Sequence, residues 1–308
     1  MTALAIETKL LSYSYGYNRL AVNNLSLHVP ASSIYGFLGP NGAGKTTTIR
    51  MLTGMLPSNT DNIFINGKSL AHNIPGIFES MGTLIETPSL YLHLNAIENL
   101  QVITTLRGIP ATNIDKILAV VGLTKPAKRK VKHYSLGMKQ RLAIAMALLP
   151  EPSLLILDEP ANGLDPAGII EIRELLKELH QQHGKTILVS SHLLNEVEKM
   201  CTHIGVIHRG KLLYEGSIQE MRQSANANGE VVVRVNNAEE WLNKIISINP
   251  AAKVISSNEL LFPFSSEEEV ASLNKKLVNL NIPVSGIQVK GGLEEWFMDI
   301  TARDKEIA

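Results

Sequence analysis

A glycine-rich segment near the N-terminus contains the residues best suited to chemistry. Residues 34–48 have the sequence IYGFLGPNGAGKTTT, an apolar run followed by a turn with the spacing G-x-x-x-x-G-K-T. Because glycine has no side chain, such a turn can direct its backbone N–H groups inward around phosphate oxygens at the start of a helix. Lys45 adds a positive charge for the outer phosphates, and the Thr46 hydroxyl can coordinate Mg²⁺. The residues predicted to surround the phosphates are Gly39, Pro40, Asn41, Gly42, Ala43, Gly44, Lys45, Thr46 and Thr47.

A pair of acids forms the second motif. Asp158 and Glu159 follow the apolar run LLIL at residues 154–157. Since side chains alternate along a strand, the two acids should point to different places. Asp158 suits the Mg²⁺ shell, whereas Glu159 would face the terminal phosphate and orient or deprotonate the attacking water. A chance glycine turn and a solvated strand end are the alternatives for the two motifs, and the strands and helix around them favour the catalytic interpretation.

A third motif lies between these two, at residues 134–141, where the sequence YSLGMKQR precedes the helix-compatible run LAIAMALL. Ser135 can cap that helix, and the unpaired N–H groups at its start form an anion site. The segment resembles the signature motif of ABC-type ATPases, whose usual core is L-S-G-G-Q, and Ser135 and Gly137 match it. The residues that differ are Tyr134, Leu136 and Met138. In that family the signature contacts the γ phosphate bound to the partner subunit, which implies this role for Ser135, Leu136, Gly137 and Met138. A helix cap alone is the alternative for Ser135.

Further segments match the same family in the expected order. Residues 161–166, ANGLDP, resemble the D-loop that crosses the interface between two such subunits. His192 follows the strand-like run KTILVSS, where the family has a switch histidine that bonds the γ phosphate and holds the water and the catalytic acid in register. The family also has an aromatic residue that stacks on adenine, which corresponds to Tyr15 or, alternatively, to Tyr13 or Tyr17.

One position departs from the common family pattern. After the strand-like run MGTLI the family usually has a Mg²⁺-coordinating glutamine that also links the nucleotide to the membrane subunit, whereas this chain has Glu86. Together with YSLGMKQR, this glutamate resembles the bacitracin-resistance and lantibiotic-immunity branch of ABC exporters. A third acid near Asp158 and Glu159 crowds like charges, which can raise a carboxyl pKa. We hypothesise that Glu86 serves coupling and metal geometry rather than the chemical step. The predicted metal ligands are Thr46, Asp158 and Glu86.

The elements that must position these residues follow from the same resemblance, which covers residues 4–220. It implies an α/β P-loop cassette over residues 1–224, in which a RecA-like core carries a helical subdomain and an antiparallel β subdomain. The small, polar run SANANG at 224–229 predicts a linker. After it, residues 225–308 show the order β-α-β-β-α-β-α of an accessory ferredoxin-like α+β domain, with a capping box at Ser266–Glu269. Stabilising a dimer or docking a partner is a better expectation for this domain than binding a small molecule.

Composition excludes several classes of protein. The chain has 308 residues, 44% of them hydrophobic, with 29 Lys and Arg against 29 Asp and Glu, which indicates a globular chain of two domains and no nucleic-acid partner. Apolar runs such as 142–149 are too short to cross a bilayer, and the N-terminus lacks the features of a secretory leader. Cys201 is the one cysteine in the sequence, so no internal disulfide can form, and we expect a core residue in a reducing cytosol.

The resemblance implies an ATP-hydrolysing transport subunit, with Glu159, His192 and Lys45 as catalytic residues and with ATP and Mg²⁺ as ligands. Two cassettes, most simply a homodimer, would close on two MgATP molecules at the cytoplasmic face of the membrane, beside integral permease subunits. The expected task is export of an antimicrobial peptide or antibiotic for resistance or self-immunity. Apolar residues at 90–94 would receive a permease helix or, alternatively, cover the core of the helical subdomain. The alternative functions are a soluble ABC protein acting on ribosomes or DNA and a non-hydrolysing interaction subunit.

Overall fold

The chain forms two compact units, each with its own sheets. The computed structural model describes residues 3–16, 20–58, 61–86, 89–226, 229–264, 267–290 and 293–306. The first unit comprises residues 1–216 and the second unit comprises residues 217–308. Within the described ranges, no helix is both long enough and apolar enough to cross a membrane.

The boundary between the units lies before the predicted one at 224/225, because a helix occupies the first part of the predicted linker. This helix begins at Ile218 and continues through Asn226, and the Ser224 hydroxyl donates to a backbone carbonyl one turn earlier, at 2.9 Å. The polar composition of SANANG predicts exposure, which the end of an amphipathic helix satisfies as well as a linker does. Residues 227–228 lie outside the described residues.

The strands that begin in the first unit are β1 (Leu4–Thr8), β2 (Leu11–Ser14), β3 (Leu20–Leu25), β4 (His28–Pro30), β5 (Ile34–Leu38), β6 (Ile63–Ile65), β7 (Lys68–Ser69), β8 (Met81–Leu84), β9 (Leu154–Leu157), β10 (Thr186–Ser191), β11 (His203–His208) and β12 (Lys211–Ser217). The α-helices of this unit are α1 (Lys45–Leu52), α2 (Ala96–Arg107), α3 (Ile114–Val120), α4 (Leu136–Leu148), α5 (Pro166–Gln181) and α6 (Leu194–Met200). Short 3-10 helices occupy Gly76–Glu79, Ala111–Asn113 and Val131–His133.

A six-stranded sheet forms the centre of the first unit, in the order β12-β11-β5-β10-β9-β8. From β11 to β8 the neighbouring strands are parallel. β5 and β9 are buried along their whole length, as expected for parallel strands covered on both faces. Because β10 lies between β5 and β9, with Ser191 opposite Leu38 and Val189 opposite Leu157, the segments that follow these three strands meet at one edge of the sheet.

Two smaller β layers and a group of helices complete the first unit. β1 pairs antiparallel with β4 and β6, and β2 pairs antiparallel with β3. Ile6 of β1 and Phe37 of β5 belong to one buried apolar cluster. α2, α3 and α4 pack against one another, and α2 begins with a complete capping box, in which Glu98 N donates to Asn95 Oδ1 at 2.9 Å and Asn95 N donates to Glu98 Oε2 at 2.7 Å. The predicted α/β core with helical and antiparallel β subdomains is therefore confirmed, and Cys201 is buried as predicted.

The second unit has the predicted ferredoxin-like arrangement. Its elements are α7 (Ile218–Asn226), β13 (Gly229–Val235), α8 (Ala238–Ile248), β14 (Lys253–Ser256), β15 (Glu259–Phe264), α9 (Glu267–Asn279), β16 (Val284–Lys290) and α10 (Leu293–Glu306). The strands pair antiparallel in the order β14-β15-β13-β16, which is the pattern of a split β-α-β fold. Val231, Val233 and Phe262 lie in its apolar core. Ser266, the first residue of the predicted capping box, lies outside the described residues.

Candidate nucleotide site

The glycine-rich segment forms a tight loop between β5 and α1. Gly44 precedes α1 with a φ of 112°, and a β-carbon there would lie 2.4 Å from the Ala21 carbonyl oxygen. A β-carbon at Gly39 would lie 2.3 Å from the Ile207 carbonyl oxygen. Both positions therefore require glycine. Since no side chain caps α1, the N–H groups of its first turn are available to an anion, as the sequence analysis predicts.

Lys45 joins the glycine loop to the acid pair. Its Nζ donates to the Gly39 carbonyl at 2.6 Å and to the Pro40 carbonyl at 3.2 Å. The same Nζ lies 3.1 Å from Glu159 Oε1, and the lysine side chain is 6% exposed. A buried ammonium group is costly unless it is paired, so these contacts explain how Lys45 is held at the bottom of the loop. Lys45 and Glu159, which are 114 positions apart in the sequence, thus meet in one site.

Asp158 is the buried centre of a hydroxyl network. The Thr46 hydroxyl donates to Asp158 Oδ2 at 2.7 Å, and the Ser190 hydroxyl donates to Asp158 Oδ1 at 2.5 Å. Ser190 Oγ also accepts a hydrogen bond from Glu159 N at 2.8 Å, so one serine orients both acids. The sequence analysis missed Ser190. Its signal was a hydroxyl residue near the end of the strand before His192, where an apolar residue would otherwise fill the core.

Glu159 is held from both sides. Its Oε1 faces Lys45, and its Oε2 lies 2.8 Å from His192 Nδ1. The backbone of Glu159 has a φ of 48°, which is uncommon for a residue other than glycine and is found at functional sites more often than elsewhere. The predicted catalytic residues Lys45, Glu159 and His192 are therefore in direct contact, with the acid between the two basic side chains.

Tyr15, Arg50 and Glu86 form a second cluster. Arg50 Nη2 forms an ion pair with Glu86 Oε1. The pKa of the Arg50 guanidinium is raised, mainly by a hydrogen bond with Tyr15; burial lowers it in part, and the charge of Glu86 raises it further. Tyr15 is 52% exposed and makes an edge-to-face contact with Tyr13, with ring centroids 5.0 Å apart. The sequence analysis missed Arg50, which now connects the candidate adenine contact with the candidate metal ligand.

The position of Tyr17, an alternative adenine contact, lies outside the described residues. Glu86 is 57% exposed in its side chain, and its partner in the structure is Arg50 rather than the Thr46–Asp158 pair. Its predicted role as a metal ligand therefore stays a prediction.

An open cleft of about 720 Å³ lies above these residues, a volume within the usual range for small-ligand sites. Lys45, Thr46 and Glu159 line it together with other residues of the glycine loop. The remaining lining residues come from three other parts of the first unit and include Tyr15, Leu20, Ala21, Asn162 and Arg209. Gly39, Pro40 and Ala43, which the sequence also placed around the phosphates, are not among the described residues that line the cleft.

The signature segment lies apart from this cleft. Ser135 is the N-cap of α4, and its Oγ accepts a hydrogen bond from Met138 N at 3.2 Å. Ser135 is exposed and Leu136 is 49% exposed. None of the residues Ser135, Leu136, Gly137 and Met138 is among the described residues that line the cleft. The start of α4 is thus an accessible anion site without a phosphate-binding loop of its own chain beside it.

A strand, a glycine loop and a helix, with the loop lysine against an acid that follows a neighbouring parallel strand, define the class of P-loop nucleoside triphosphatases. Comparison with known proteins narrows this class. The ABC transporter family model matches residues 22–162. The bacitracin transport ATP-binding protein BcrA of Enterococcus faecalis is 46% identical over 71% of this chain and 71% of that protein.

Two further relatives extend the comparison. The lantibiotic transport ATP-binding protein SrtF of Streptococcus pyogenes is 44% identical over 68% of this chain and 90% of that protein. An uncharacterized ABC transporter ATP-binding protein of Bacillus subtilis, YhcH, is 37% identical over 94% of this chain and 93% of that protein. Among solved structures, cbiO1 from Clostridium perfringens, part of the ABC transporter complex cbiONQ, is 25% identical with a TM-score of 0.65, covering 80% of this chain and 96% of that chain.

This chain belongs to the ATP-binding proteins of the ABC transporter family. It is an ATP-binding and ATP-hydrolysing subunit of a transporter, which implies membrane permease partners. The predicted family and enzyme class are confirmed, and the alternative of a ribosome- or DNA-acting ATPase is not supported.

Proposed function

We propose that two copies of this chain close on two MgATP molecules and that this closure drives permease subunits to export an antimicrobial peptide or antibiotic. The observation that carries the proposal is the separation of the two halves of the site. The cleft above Lys45 is lined by the glycine loop and contains none of the residues Ser135 to Met138, while the helix start at Ser135 is exposed elsewhere on the first unit. In a two-fold symmetric pair, the signature segment of each copy would face the glycine loop of the other copy. A second copy of the chain would therefore complete each nucleotide site.

Mg²⁺ fits the residues present. The Thr46 hydroxyl and the Asp158 carboxylate are 2.7 Å apart, and both are hard oxygen ligands of the kind that Mg²⁺ prefers. Glu86 would join them after leaving Arg50. Bound there, Mg²⁺ would neutralise charge on the outer phosphates and keep them in position for attack.

The reaction assigned to the chain's own residues is hydrolysis of the terminal phosphoanhydride bond. When ATP binds, the Lys45 ammonium group leaves Glu159 and pairs with the outer phosphates. The Glu159 carboxylate is then free to accept a proton from the attacking water. The water oxygen bonds to the γ phosphorus while the bond to the β-phosphate oxygen breaks, and ADP leaves. His192 positions Glu159 through its 2.8 Å contact with Oε2. Hydrolysis then removes the phosphate that both copies grip, so the pair reopens.

The cargo and the membrane contact rest on the relatives and on one exposed surface. The relatives named for bacitracin and lantibiotic transport are 46% and 44% identical to this chain, which supports export of such a compound from a peripheral position at the cytoplasmic face. Tyr91 is 46% exposed and Leu92 is 48% exposed, just before α2, as expected if they receive a permease helix. Leu90 and Leu94 are half-buried, in keeping with the alternative role of covering the helical subdomain.

The pairing is tested by mixing two inactive variants. Lys45→Ala removes the phosphate-binding lysine and keeps the signature, whereas Ser135→Arg keeps the glycine loop and blocks the anion site. A mixed pair then contains one complete site, formed by the loop of one chain and the signature of the other. We expect each variant alone to hydrolyse ATP about a hundredfold more slowly than the wild type. The mixture should regain about a quarter of the wild-type rate, because half of the pairs are mixed and each has one of two sites.

The matched control replaces the Ser135→Arg chain by a chain that carries both substitutions, since no complete site can then form. Phosphate release is measured at equal total protein. Wild-type hydrolysis by Ser135→Arg alone would mean that one chain encloses its nucleotide, and it would contradict the pairing.

The cargo is tested separately in cells. Expression with the permease subunits should raise the tolerated concentration of bacitracin or of a lantibiotic in a sensitive bacterium, and Glu159→Gln should abolish that increase. Unchanged susceptibility with intact ATP hydrolysis would contradict the cargo and leave the pairing standing.

A further inference from the structure

Arg209 lies in the nucleotide cleft although no motif of the sequence points to it. It occupies the two-residue turn, Arg209–Gly210, between β11 and β12, and it lines the cleft together with Tyr15 and Ala21. Its side chain is exposed to the cleft rather than packed into the core. We propose that Arg209 is a nucleotide-binding residue whose guanidinium contacts the phosphate next to the nucleoside, a role that rests on ATP occupying this cleft.

The turn that carries Arg209 is fixed to the phosphate-binding loop. Gly210 N donates to the Ala43 carbonyl at 2.8 Å, and the Gly210 carbonyl accepts a hydrogen bond from Asn23 N at 2.9 Å. Ala43 belongs to the glycine loop and Asn23 belongs to β3. A β-carbon at Gly44 would lie 3.5 Å from Gly210 Cα, so the two loops are in close contact. Arg209 is therefore held beside the start of α1 by backbone contacts that do not depend on its own side chain.

The charges of the cleft leave Arg209 available to an anion. The Lys45 ammonium is engaged by Glu159 and by two backbone carbonyls. Arg50, on the same helix, is engaged by Glu86. Of the cations that line the cleft among the described residues, Arg209 is the one without an acidic partner in the structure. A guanidinium group presents several N–H donors in a plane and pairs well with phosphate oxygens.

The neighbours of Arg209 in the cleft indicate which phosphate of the nucleotide it contacts. In the proposed binding mode, the outer phosphates of ATP lie at the end of the cleft where Lys45 contacts Glu159. The adenine base lies at the end near Tyr15. Gly210 contacts Ala43 and Ala21, and Ala21 lines the cleft together with Tyr15, so we assign Arg209 to the phosphate at the nucleoside end of the chain. A charge at this point contributes to binding and not to the attack on the γ phosphorus, so it should change affinity rather than the rate of the chemical step.

The experiment removes the side chain without disturbing the turn. Arg209 has a φ of 47°, a conformation that favours glycine, so Arg209→Gly should fold normally. In the full-length protein we expect Arg209→Gly to raise the ATP dissociation constant and the KM about three- to tenfold, with kcat changed less than about twofold. The same factor is expected for ADP, because ADP keeps the phosphate concerned. Lys211→Ala is the matched control, since Lys211 is an exposed cation of the same hairpin that does not line the cleft.

Two further variants separate charge from shape. Arg209→Lys keeps the charge and loses the planar group, whereas Arg209→Gln keeps a planar group and loses the charge. Recovery of most of the affinity by the lysine variant and not by the glutamine variant supports a phosphate contact, whereas the opposite pattern would mean stacking on the base and would overturn it. An unchanged ATP dissociation constant in Arg209→Gly would also overturn it. Failure of the wild type to bind ATP would instead remove the nucleotide site itself.

Discussion

The two units of this protein differ in what they bury. The first unit buries charged and polar side chains at the ends of parallel strands, including Lys45, Asp158 and Ser190. The second unit packs an apolar core around Phe262, and among its described residues the buried polar side chain is Thr301, whose hydroxyl donates to carbonyls of its own helix. Burying polar groups costs stability unless each finds a partner. The first unit therefore contains buried polar and charged side chains that can exchange their present partners for a ligand. Among its described residues, the second unit contains no buried side chain of this kind.

Strand direction explains this difference. In the first unit β5, β9 and β10 are parallel neighbours, so the segments after all three strands reach one edge of the sheet. In the second unit neighbouring strands are antiparallel, so their carboxyl ends alternate between two edges and no such convergence occurs. A shared edge makes a multi-residue site possible, whereas alternating edges favour a passive packing module.

The largest expected effect tests the catalytic edge of the first unit. Glu159→Gln keeps the shape of the side chain and removes its ability to accept a proton from water. We expect hydrolysis to fall about 10²- to 10⁴-fold while the ATP dissociation constant stays within about threefold of the wild type. Single-turnover phosphate release and equilibrium binding measure the two quantities. Glu174→Gln is the control, because Glu174 is an exposed acid on α5. An unchanged rate of ATP hydrolysis in Glu159→Gln would contradict the catalytic role that distinguishes the first unit from the second.

The next effect concerns the core of the second unit. Phe262 is fully buried, so Phe262→Ala should lower the free energy of unfolding of that unit by about 3–5 kcal/mol through lost contacts and a cavity. Because no catalytic group lies among the described residues of this unit, the ATP dissociation constant of the folded protein should not change. Denaturant unfolding and ATP titration test both statements. Val278→Ala, at a 61% exposed position of α9, should change neither quantity, and a large loss of ATP affinity in Phe262→Ala would contradict the separation of roles.

The sequence alone predicted those parts of the site that belong to motifs, in which the residues have a characteristic spacing along the chain. The glycine loop with Lys45, the acids Asp158 and Glu159 and the switch residue His192 were placed correctly as neighbours, because each follows a strand whose apolar pattern indicates a central position. Ser190 was missed because a hydroxyl in a buried strand has no pattern of its own, and only the pairing of β10 with β9 brings it to Asp158.

Other features depend on contacts that no local pattern encodes. Arg50 looks like an ordinary exposed residue of a helix until Glu86 and Tyr15 are placed beside it. Arg209 follows a strand that carries no motif, and only the contact between its turn and the glycine loop brings it to the cleft. The unit boundary was predicted too late because the same polar residues suit a linker and the end of an amphipathic helix.

The smallest expected effect lies within the first unit and compares the acid Glu159, which is largely shielded from solvent, with the exposed acid Glu86. Glu86 pairs with Arg50 at the surface, and exposed ion pairs contribute about 0–1 kcal/mol. Glu86→Gln should therefore leave the free energy of unfolding within about 1 kcal/mol of the wild type. It should change hydrolysis less than about tenfold, because the proton acceptor Glu159 and its contacts remain.

The proposed role of Glu86 in coupling and metal geometry should appear instead in the assembled transporter, as a lower ratio of substrate exported to ATP hydrolysed. Arg50→Gln is the matched variant, since it frees Glu86 without removing it. If the Arg50–Glu86 ion pair has no role in transport, Arg50→Gln and the variant with both substitutions should export substrate as the wild type does. Measured side by side, Glu86→Gln and Glu159→Gln should differ by at least about tenfold in hydrolysis. Equal collapse in both would show that Glu86 takes part in the chemical step, and the proposed division of roles between Glu86 and Glu159 would then be wrong.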